Sequence, residues 1–348
     1  MSAMRGSKIS DLRSANPVRQ LNANQLGLRD APVTPDQSIA TNTVPTEDIV
    51  TDPTPTIAQL NVTDDDPRLD ELYAMVRSLV DDDGYAGVIF VGPPGTSKSW
   101  YAAQVAAKLV DLDPRRLRFV QFHASYQYED FVEGYVPTAG TFAMKDKHLL
   151  DMCRIASADF QGKPCVLVID ELSRCDPGRV FGEALTYIEK AKRGLNFRLA
   201  SGTQRSIPPN LIFIATMNEQ DHGVDVVDAA LERRFAKIEM KPNEAALRQV
   251  LARKDLADAT RNRLIGFFRY LNGHSNVACR IGHAYFEPIK DEKSLSRLWE
   301  HQLRFHLKKA FPLNAPGFDE IERRWQQVLP TGETPTPAGG SNAGEQDS

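Results

Sequence analysis

Lys98 and Ser99 follow a turn rich in glycine and proline, Gly92-Pro93-Pro94-Gly95-Thr96-Ser97, which leaves an apolar stretch, Val88 to Val91. A lysine and a hydroxyl residue at that spacing suit a nucleoside triphosphate. Successive N–H groups of the turn wrap the phosphates, and the start of a helix adds its positive end. The Lys98 ammonium reaches the β and γ phosphates, and the Ser99 hydroxyl ligates Mg²⁺. The pattern GxxxxGK[ST] is met at every position but one: Ser97 stands where a second glycine is usual. A Cβ there crowds the phosphate, although the N–H remains and the hydroxyl adds a donor.

Two further groups fit the same chemistry. The run Cys165-Val166-Leu167-Val168-Ile169 ends in Asp170-Glu171. An unbroken apolar run belongs to a central parallel strand, and carboxylates leaving its C-terminal end lie where such sheets bind ligands. Alternation points the two side chains apart, so one can hold Mg²⁺ while the other orients the water that attacks the γ-phosphate. A second apolar run, Leu211 to Met217, ends in Asn218, whose amide can bridge the γ-phosphate and that water.

These groups need a framework of alternating strands and helices. Asp66-Pro67 reads as an N-cap with proline at the first helical position, followed by Leu69, Leu72, Val76 and Leu79 at helical spacing up to Gly84. A strand over Val88–Val91 then feeds the turn, and a helix from Lys98 buries Ala102, Val105, Ala106 and Leu109. A second strand covers Leu117–Phe122. The stretch His123 to Tyr135 reads as a loop, dense in aromatic and acidic residues. A helix over Lys147–Ser157, the Cys165 strand, one helix from Asp176-Pro177 through Ile188, a short hairpin near Asn196-Phe197-Arg198 and the Leu211 strand follow. Asp228 to Phe235 and a last strand, Ala236–Met240, close the sheet. Beyond it the pattern turns helical: Asn243–Lys254, Ala257–Leu271, Ser294–Phe311 and a further helix near Phe318–Leu329. Leu251, Leu264, Phe267, Phe268 and Leu271 form the expected core of that region.

The expected organisation is a tail over 1–61, an α/β core over 62–240, a helical lid over 241–312, a further helix within 313–330 and a second tail over 331–348. Both tails are poor in aromatics and rich in Pro, Thr, Asn and Gly, a composition that cannot offset its ordering entropy. With 42 basic against 46 acidic side chains, the net charge of −4 argues against a general coat for nucleic acid. Cys153, Cys165, Cys175 and Cys279 show no CxxC pair and read as reduced thiols. No apolar run approaches the length of a membrane span and none resembles a signal peptide, so a cytoplasmic protein without a membrane partner is expected.

In order and spacing these groups, together with Arg233-Arg234, resemble the AAA+ ATPases. Within them the sequence is most similar to the McrB-type NTPase subunits of methylcytosine-dependent restriction systems, in the same branch as the MoxR-type and dynein-related ATPases. The likeness is carried by Ser125-Tyr126-Gln127-Tyr128-Glu129-Asp130-Phe131-Val132-Glu133-Gly134, by Phe181 to Glu189, by Ile207-Pro208-Pro209-Asn210-Leu211 and by Arg280-Ile281-Gly282-His283-Ala284-Tyr285-Phe286. It covers roughly Asp66 to Phe311.

The resemblance implies a P-loop NTPase fold, a three-layer α/β parallel sheet followed by a small all-helical lid. It implies that Gly92, Pro93, Pro94, Gly95, Thr96, Ser97, Lys98 and Ser99 hold the nucleotide, that Ser99 and Asp170 hold Mg²⁺, and that Glu171 and Asn218 serve hydrolysis. Arg233 or Arg234 would act on the nucleotide of a neighbouring subunit, and Arg280 would contact nucleotide from the lid. ATP is the expected substrate, with GTP open. The expected assembly is a hexameric ring, joined by a McrC-like or nuclease subunit from the same operon, through which it would meet nucleic acid in antiviral defence. A MoxR-like chaperone acting on a client protein and a slow nucleotide-gated scaffold are the alternatives. Met1–Asn61 offers no counterpart to the DNA-reading domain of the restriction subunits, so direct recognition of a modified base is not expected. The string Asn218-Glu219-Gln220-Asp221 departs from their Asn-Thr-Ala-Asp. The His123–Tyr135 stretch is expected to face a pore or partner, the alternative being that its Tyr and Phe pack against the core while Glu129, Asp130 and Glu133 stay solvated.

Overall fold

The computed structural model describes residues 66–218, 229–312 and 314–328. The expected tails and residues 219–221 lie outside the described residues. Asp66 caps helix α1 (Pro67–Asp81), its carboxylate accepting the Arg68 N–H at 3.0 Å, with proline in the first turn. Leu69, Leu72 and Val76 are buried along it together with Val80, and Leu79 packs against the same core half-buried.

Strand β1 (Gly87–Gly92) and helix α2 (Lys98–Leu109) flank the phosphate-type turn, and β2 (Leu117–Gln121) follows. Next come α3 (Tyr128–Phe131), the hairpin β3 (Glu133–Thr138) and β4 (Thr141–Asp146), α4 (His148–Arg154) and β5 (Cys165–Asp170). Helices α5 (Pro177–Phe181) and α6 (Ala184–Tyr187) precede the two-residue ladder of β6 (Phe197–Arg198) and β7 (Gln204–Arg205), then β8 (Leu211–Asn218), α7 (Ala229–Glu232) and β9 (Phe235–Glu239).

Five of these strands form one sheet in the order β2-β5-β8-β1-β9, and every pairing in it is parallel. The apolar runs alternate between its two faces. Ile89, Val91, Leu167, Ile169, Phe213 and Ala215 join a core with α4 and α5 on one side; Val88, Phe90, Val166, Val168, Ile212 and Ile214 pack with α1 and α2 on the other. Each fully buried Leu, Ile or Phe is worth about 1.5–3 kcal/mol. Burial on both faces explains why these strands read as unbroken apolar runs.

The helix expected from Asp176 to Ile188 is two short helices. Gly182, between them, has φ +51°, and a Cβ there would stand 2.7 Å from the Tyr128 ring. The chain breaks its helical path to let that ring pack. The hairpin of β3 and β4 was not expected: Pro137 and the polar Thr138 and Thr141 dilute its alternation, and Gly140, at φ +82°, makes its turn.

After β9 come α8 (Glu244–Ala252), α9 (Asp258–Asn272), α10 (Glu292–Leu298), α11 (Arg304–Lys309) and α12 (Ala315–Gln326). The single helix expected over Ser294–Phe311 is α10 and α11 joined by a wide π-turn at Trp299–Leu303, where Trp299 stacks on Trp325 of α12 with ring centroids 4.8 Å apart. All five expected lid-core residues are buried in one cluster, which also takes in Phe318, Ile321 and Trp325 of α12. The last described helix is thus packed into the lid.

Candidate functional site

The parallel register brings the expected groups to one edge of the sheet. Gly92 of β1 pairs with Asn218 of β8, and Ile169 of β5 with Ala215 of β8, so Asp170 lies level with Thr216. The C-terminal ends of three adjacent strands therefore carry the glycine turn, the carboxylate pair and the amide. An open parallel sheet binds its ligand at this edge.

Within the turn, Lys98 is buried, and its ammonium donates to the carbonyls of Gly92 at 3.0 Å and Pro93 at 2.9 Å. Thr96 donates from its hydroxyl to the same Pro93 carbonyl at 3.0 Å. The Ser99 hydroxyl donates to Asp170 Oδ1 at 2.7 Å. Two oxygen ligands side by side on a Mg²⁺ octahedron, each about 2.0–2.1 Å from the ion, stand about 2.9 Å apart. The pair therefore fits a divalent ion that takes its remaining ligands from water and phosphate. Among the described residues no cluster of three or more His, Cys, Asp or Glu side chains forms a separate metal cage.

Glu171 leaves the strand in a left-handed conformation, φ +58°. Such a backbone costs a non-glycine residue about 1–3 kcal/mol and persists only where its surroundings hold it. Here Thr216 holds it, accepting the Glu171 N–H on Oγ1 at 3.1 Å while donating its own hydroxyl to Asp170 Oδ1. The Glu171 carboxylate accepts from Arg174 Nε at 3.2 Å and from Asn218 Nδ2 at 3.4 Å, both on Oε2. Asp170 and Glu171 thus face different partners, as their alternation implied. Thr216 was not singled out from sequence, although a lone hydroxyl within Leu211–Met217 was a visible signal.

The two arginines occupy different environments. Arg233 is exposed, whereas Arg234 is buried, with Nη2 3.6 Å from Glu189. Both precede β9, whose first residue pairs with Gly87, and the Arg234 carbonyl accepts the Ala86 N–H at 2.9 Å. They lie at the N-terminal edge of the sheet. The length of β1, about 16 Å at 3.3 Å per residue, separates that edge from Gly92.

The lid touches the turn directly. The N–H groups of Gly282 and Ala284 donate to the carbonyls of Pro94 and Gly95 at 2.9 and 3.0 Å. Only glycine fits at 282, because a Cβ would stand 1.9 Å from the Gly95 oxygen. Ser97 and His283 meet, Oγ to Nε2, at 3.1 Å. Burial, with the charge of Arg68, pushes the His283 imidazole below its usual range against a smaller opposing pull from Glu287. Arg280 lies two residues before Gly282, and its buried Nε has no hydrogen-bond partner. Beside Ser97 a cavity of about 360 Å³ is lined by Asp66, Trp100, Tyr101, Val250, Arg253 and His283 among others. The Tyr101 hydroxyl donates to Asp66 at 3.0 Å.

The stretch from His123 to Tyr135 divides in two. Tyr126 and Phe131 are buried beside Phe122 and Phe181, and Asp130 closes a capping box with Gln127, so this part is core and helix start rather than an exposed loop. Glu133 is buried as well, accepting from the Ser201 N–H at 2.9 Å and its hydroxyl at 2.8 Å. What projects is the hairpin: Tyr135 and Phe142 are 69% and 70% exposed.

Residues 87–235 match the AAA domain of the dynein-related subfamily. The chain is similar to the type IV methyl-directed restriction enzyme EcoKMcrB subunit of Escherichia coli strain K12, 33% identical over 62% of this chain and 50% of that one. It is also similar to the type II restriction enzyme BsuMI component YdiS of Bacillus subtilis strain 168, 24% identical over 42% of this chain and 55% of that one. The chain thus spans about half the length of these relatives. The crystal structure of NtrX from Brucella abortus in complex with ADP aligns with a TM-score of 0.37 at 12% identity, covering 72% of this chain and 52% of that one.

Proposed function

We propose that this chain, a member of the dynein-related AAA family with McrB-type relatives, hydrolyses a nucleoside triphosphate as one subunit of a ring and drives a partner protein with the energy released. The observation that carries the reading is the meeting of Lys98, Ser99, Asp170, Glu171 and Asn218 at one sheet edge, with Ser99 and Asp170 2.7 Å apart.

In this reading the Lys98 ammonium leaves the Gly92 and Pro93 carbonyls for the β and γ phosphate oxygens, and the N–H groups of Gly95 to Ser99, beyond the two prolines, line the phosphate chain. Ser99 and Asp170 would hold Mg²⁺, which would supply charge neutralisation for the phosphates. Arg174 and Asn218 both occupy Glu171 Oε2, leaving Oε1 to take a proton from the attacking water. That water's oxygen bonds to the γ-phosphorus while the bond to the bridging oxygen breaks, and the nucleoside diphosphate leaves with the electron pair. Asn218 orients water and γ-phosphate. The base and ribose enter the cavity beside Ser97, with Trp100 and Tyr101 among its walls.

Arg233 completes the site from the next subunit. Its exposure, and a strand's length between it and Gly92, support action in trans; the burial of Arg234 against Glu189 gives that residue a structural task. A trans arginine of this kind is worth on the order of 10³–10⁵ in rate. ATP is the proposed substrate, with GTP as the competitor to test. Because the relatives are components of restriction enzymes, the proposed setting is a cytoplasmic restriction or phage-defence system whose partner supplies the nuclease.

The test is phosphate release from ATP and from GTP with Mg²⁺, by the purified chain alone and with its operon neighbours, alongside light scattering. Rings and hydrolysis that depend on Lys98 are expected. A chain that binds neither nucleotide, or a monomer with full activity, would overturn the reading.

A further inference from the structure

Ser97 is the one departure from the phosphate-turn pattern, and its surroundings give it a task. Its backbone is left-handed, φ +63° and ψ +29°, the conformation glycine adopts without strain. It is also the N-cap of α2, where a serine hydroxyl commonly accepts an N–H of the first helical turn. Here it makes no such bond. The hydroxyl is instead 3.1 Å from His283 Nε2, a residue 186 positions later.

His283 is itself buried, and its Nδ1 has no hydrogen-bond partner. A buried N–H without a partner is rarer and costlier than a buried lone pair, so the favoured tautomer carries the proton on Nε2. Ser97 Oγ then accepts from the ring and keeps its own hydrogen to donate. On either side of His283, the N–H groups of Gly282 and Ala284 are bonded to Pro94 and Gly95. Three successive lid residues are therefore fastened to the turn. Two attachments are made by backbone; the third exists only because residue 97 has a side chain.

We propose that Ser97 is a positioning residue that latches the lid to the phosphate turn through His283 and donates its own hydroxyl proton to a phosphate oxygen of bound nucleoside triphosphate, so that nucleotide retention depends on lid position. The latch itself stands without nucleotide; the phosphate contact rests on the function proposed above.

The test uses the full chain and its Ser97→Gly, His283→Ala, His283→Gln and Ser97→Gly/His283→Ala variants. Hydrogen exchange at Gly282 and Ala284 is followed without nucleotide. Release of a fluorescent ATP analogue, KM and kcat are measured with Mg²⁺. Ser97→Gly and His283→Ala are each expected to speed exchange about five-fold, the worth of one neutral hydrogen bond, and to raise KM more than they lower kcat. Release should quicken about five-fold in His283→Ala and further in Ser97→Gly, which also loses the phosphate donor. The double variant should be no worse than Ser97→Gly alone, and His283→Gln, which keeps an N–H donor, should recover most of the loss seen in His283→Ala.

The alternative reverses the sign. If Ser97 is only a tolerated flaw, Ser97→Gly relieves the left-handed strain, slows release and leaves exchange at Gly282 unchanged, and that result overturns the proposal, as do additive effects in the double variant. Should the unaltered chain bind no nucleotide, the phosphate contact fails with the proposed function, while exchange at Gly282 and Ala284 still decides the latch.

Discussion

Thr216 Oγ1 accepts the N–H of Glu171 at 3.1 Å and thereby pins the left-handed residue that carries the proposed catalytic carboxylate. The same hydroxyl donates to Asp170. Thr216→Val keeps the shape and removes both bonds. We expect kcat to fall at least ten-fold with KM changed much less, because Glu171 loses its hold while the phosphate turn is untouched. Steady-state kinetics of the variant check this; a loss of affinity with unchanged kcat would place Thr216 elsewhere in the mechanism.

Lys98 and Glu171 should separate binding from chemistry. Lys98→Ala removes the cation proposed to hold the phosphates and is expected to abolish nucleotide binding. Glu171→Gln keeps the side chain's size and its contacts with Arg174 and Asn218 but loses its basicity, so binding persists while turnover drops by roughly 10²–10⁴. Equilibrium binding of a fluorescent nucleotide beside a phosphate-release assay distinguishes the two.

Arg233 and Arg234 should fail in different ways. Arg233→Ala is expected to abolish hydrolysis without changing Tm, and mixing it with the Lys98→Ala variant should restore activity, since each supplies what the other lacks. Arg234→Ala should lower stability by on the order of 1–2 kcal/mol; the loss is limited because its partner Glu189 is partly in water. Calorimetry and the mixing assay together would show a reversed assignment at once.

All four thiols are buried, and burial raises them from an ordinary value of 9.0 to about 12 at Cys153 and Cys175 and about 11 at Cys165 and Cys279. At pH 8 the thiolate fraction then drops from about one in ten to about one in a thousand or less. Iodoacetamide should label none of them in the native protein and all four in denaturant. Because the folded values lie above the unfolded one, the thiols' contribution to stability is complete below pH 9 and is lost as pH rises towards 11–12. Denaturant midpoints at pH 8 and 10.5 measure that decline.

The framework was legible where a local rule met a matching environment. Asp66-Pro67 marked a helix start that stands there, and the apolar runs at Val88 and Cys165 marked strands covered on both faces. The site's principal groups were legible because the sheet register converts strand endings into neighbours. What escaped depends on contacts distant in sequence. Gly182 breaks a helix because the Tyr128 ring needs its place, and no helical periodicity records that ring. Whether Tyr126 and Phe131 are displayed or packed was open in the sequence, because their cover comes from Phe122 and Phe181. Thr216 looked like filler in a strand until Glu171 was placed beside it. Ser97 looked like a defect because its partner, His283, lies in the lid.

Gly282 also bears on how far this protein can be taken apart. Its N–H and that of Ala284 occupy carbonyls of the phosphate turn, and no side chain larger than hydrogen fits between them. The α/β core and the helical lid are therefore not interchangeable modules. A fragment ending at Met240 would keep every residue of the turn yet leave the Pro94 and Gly95 oxygens without their donors, and a lid grafted from a relative would have to reproduce a backbone seam rather than a set of side chains. Dissection of this chain into working halves should stop at that seam.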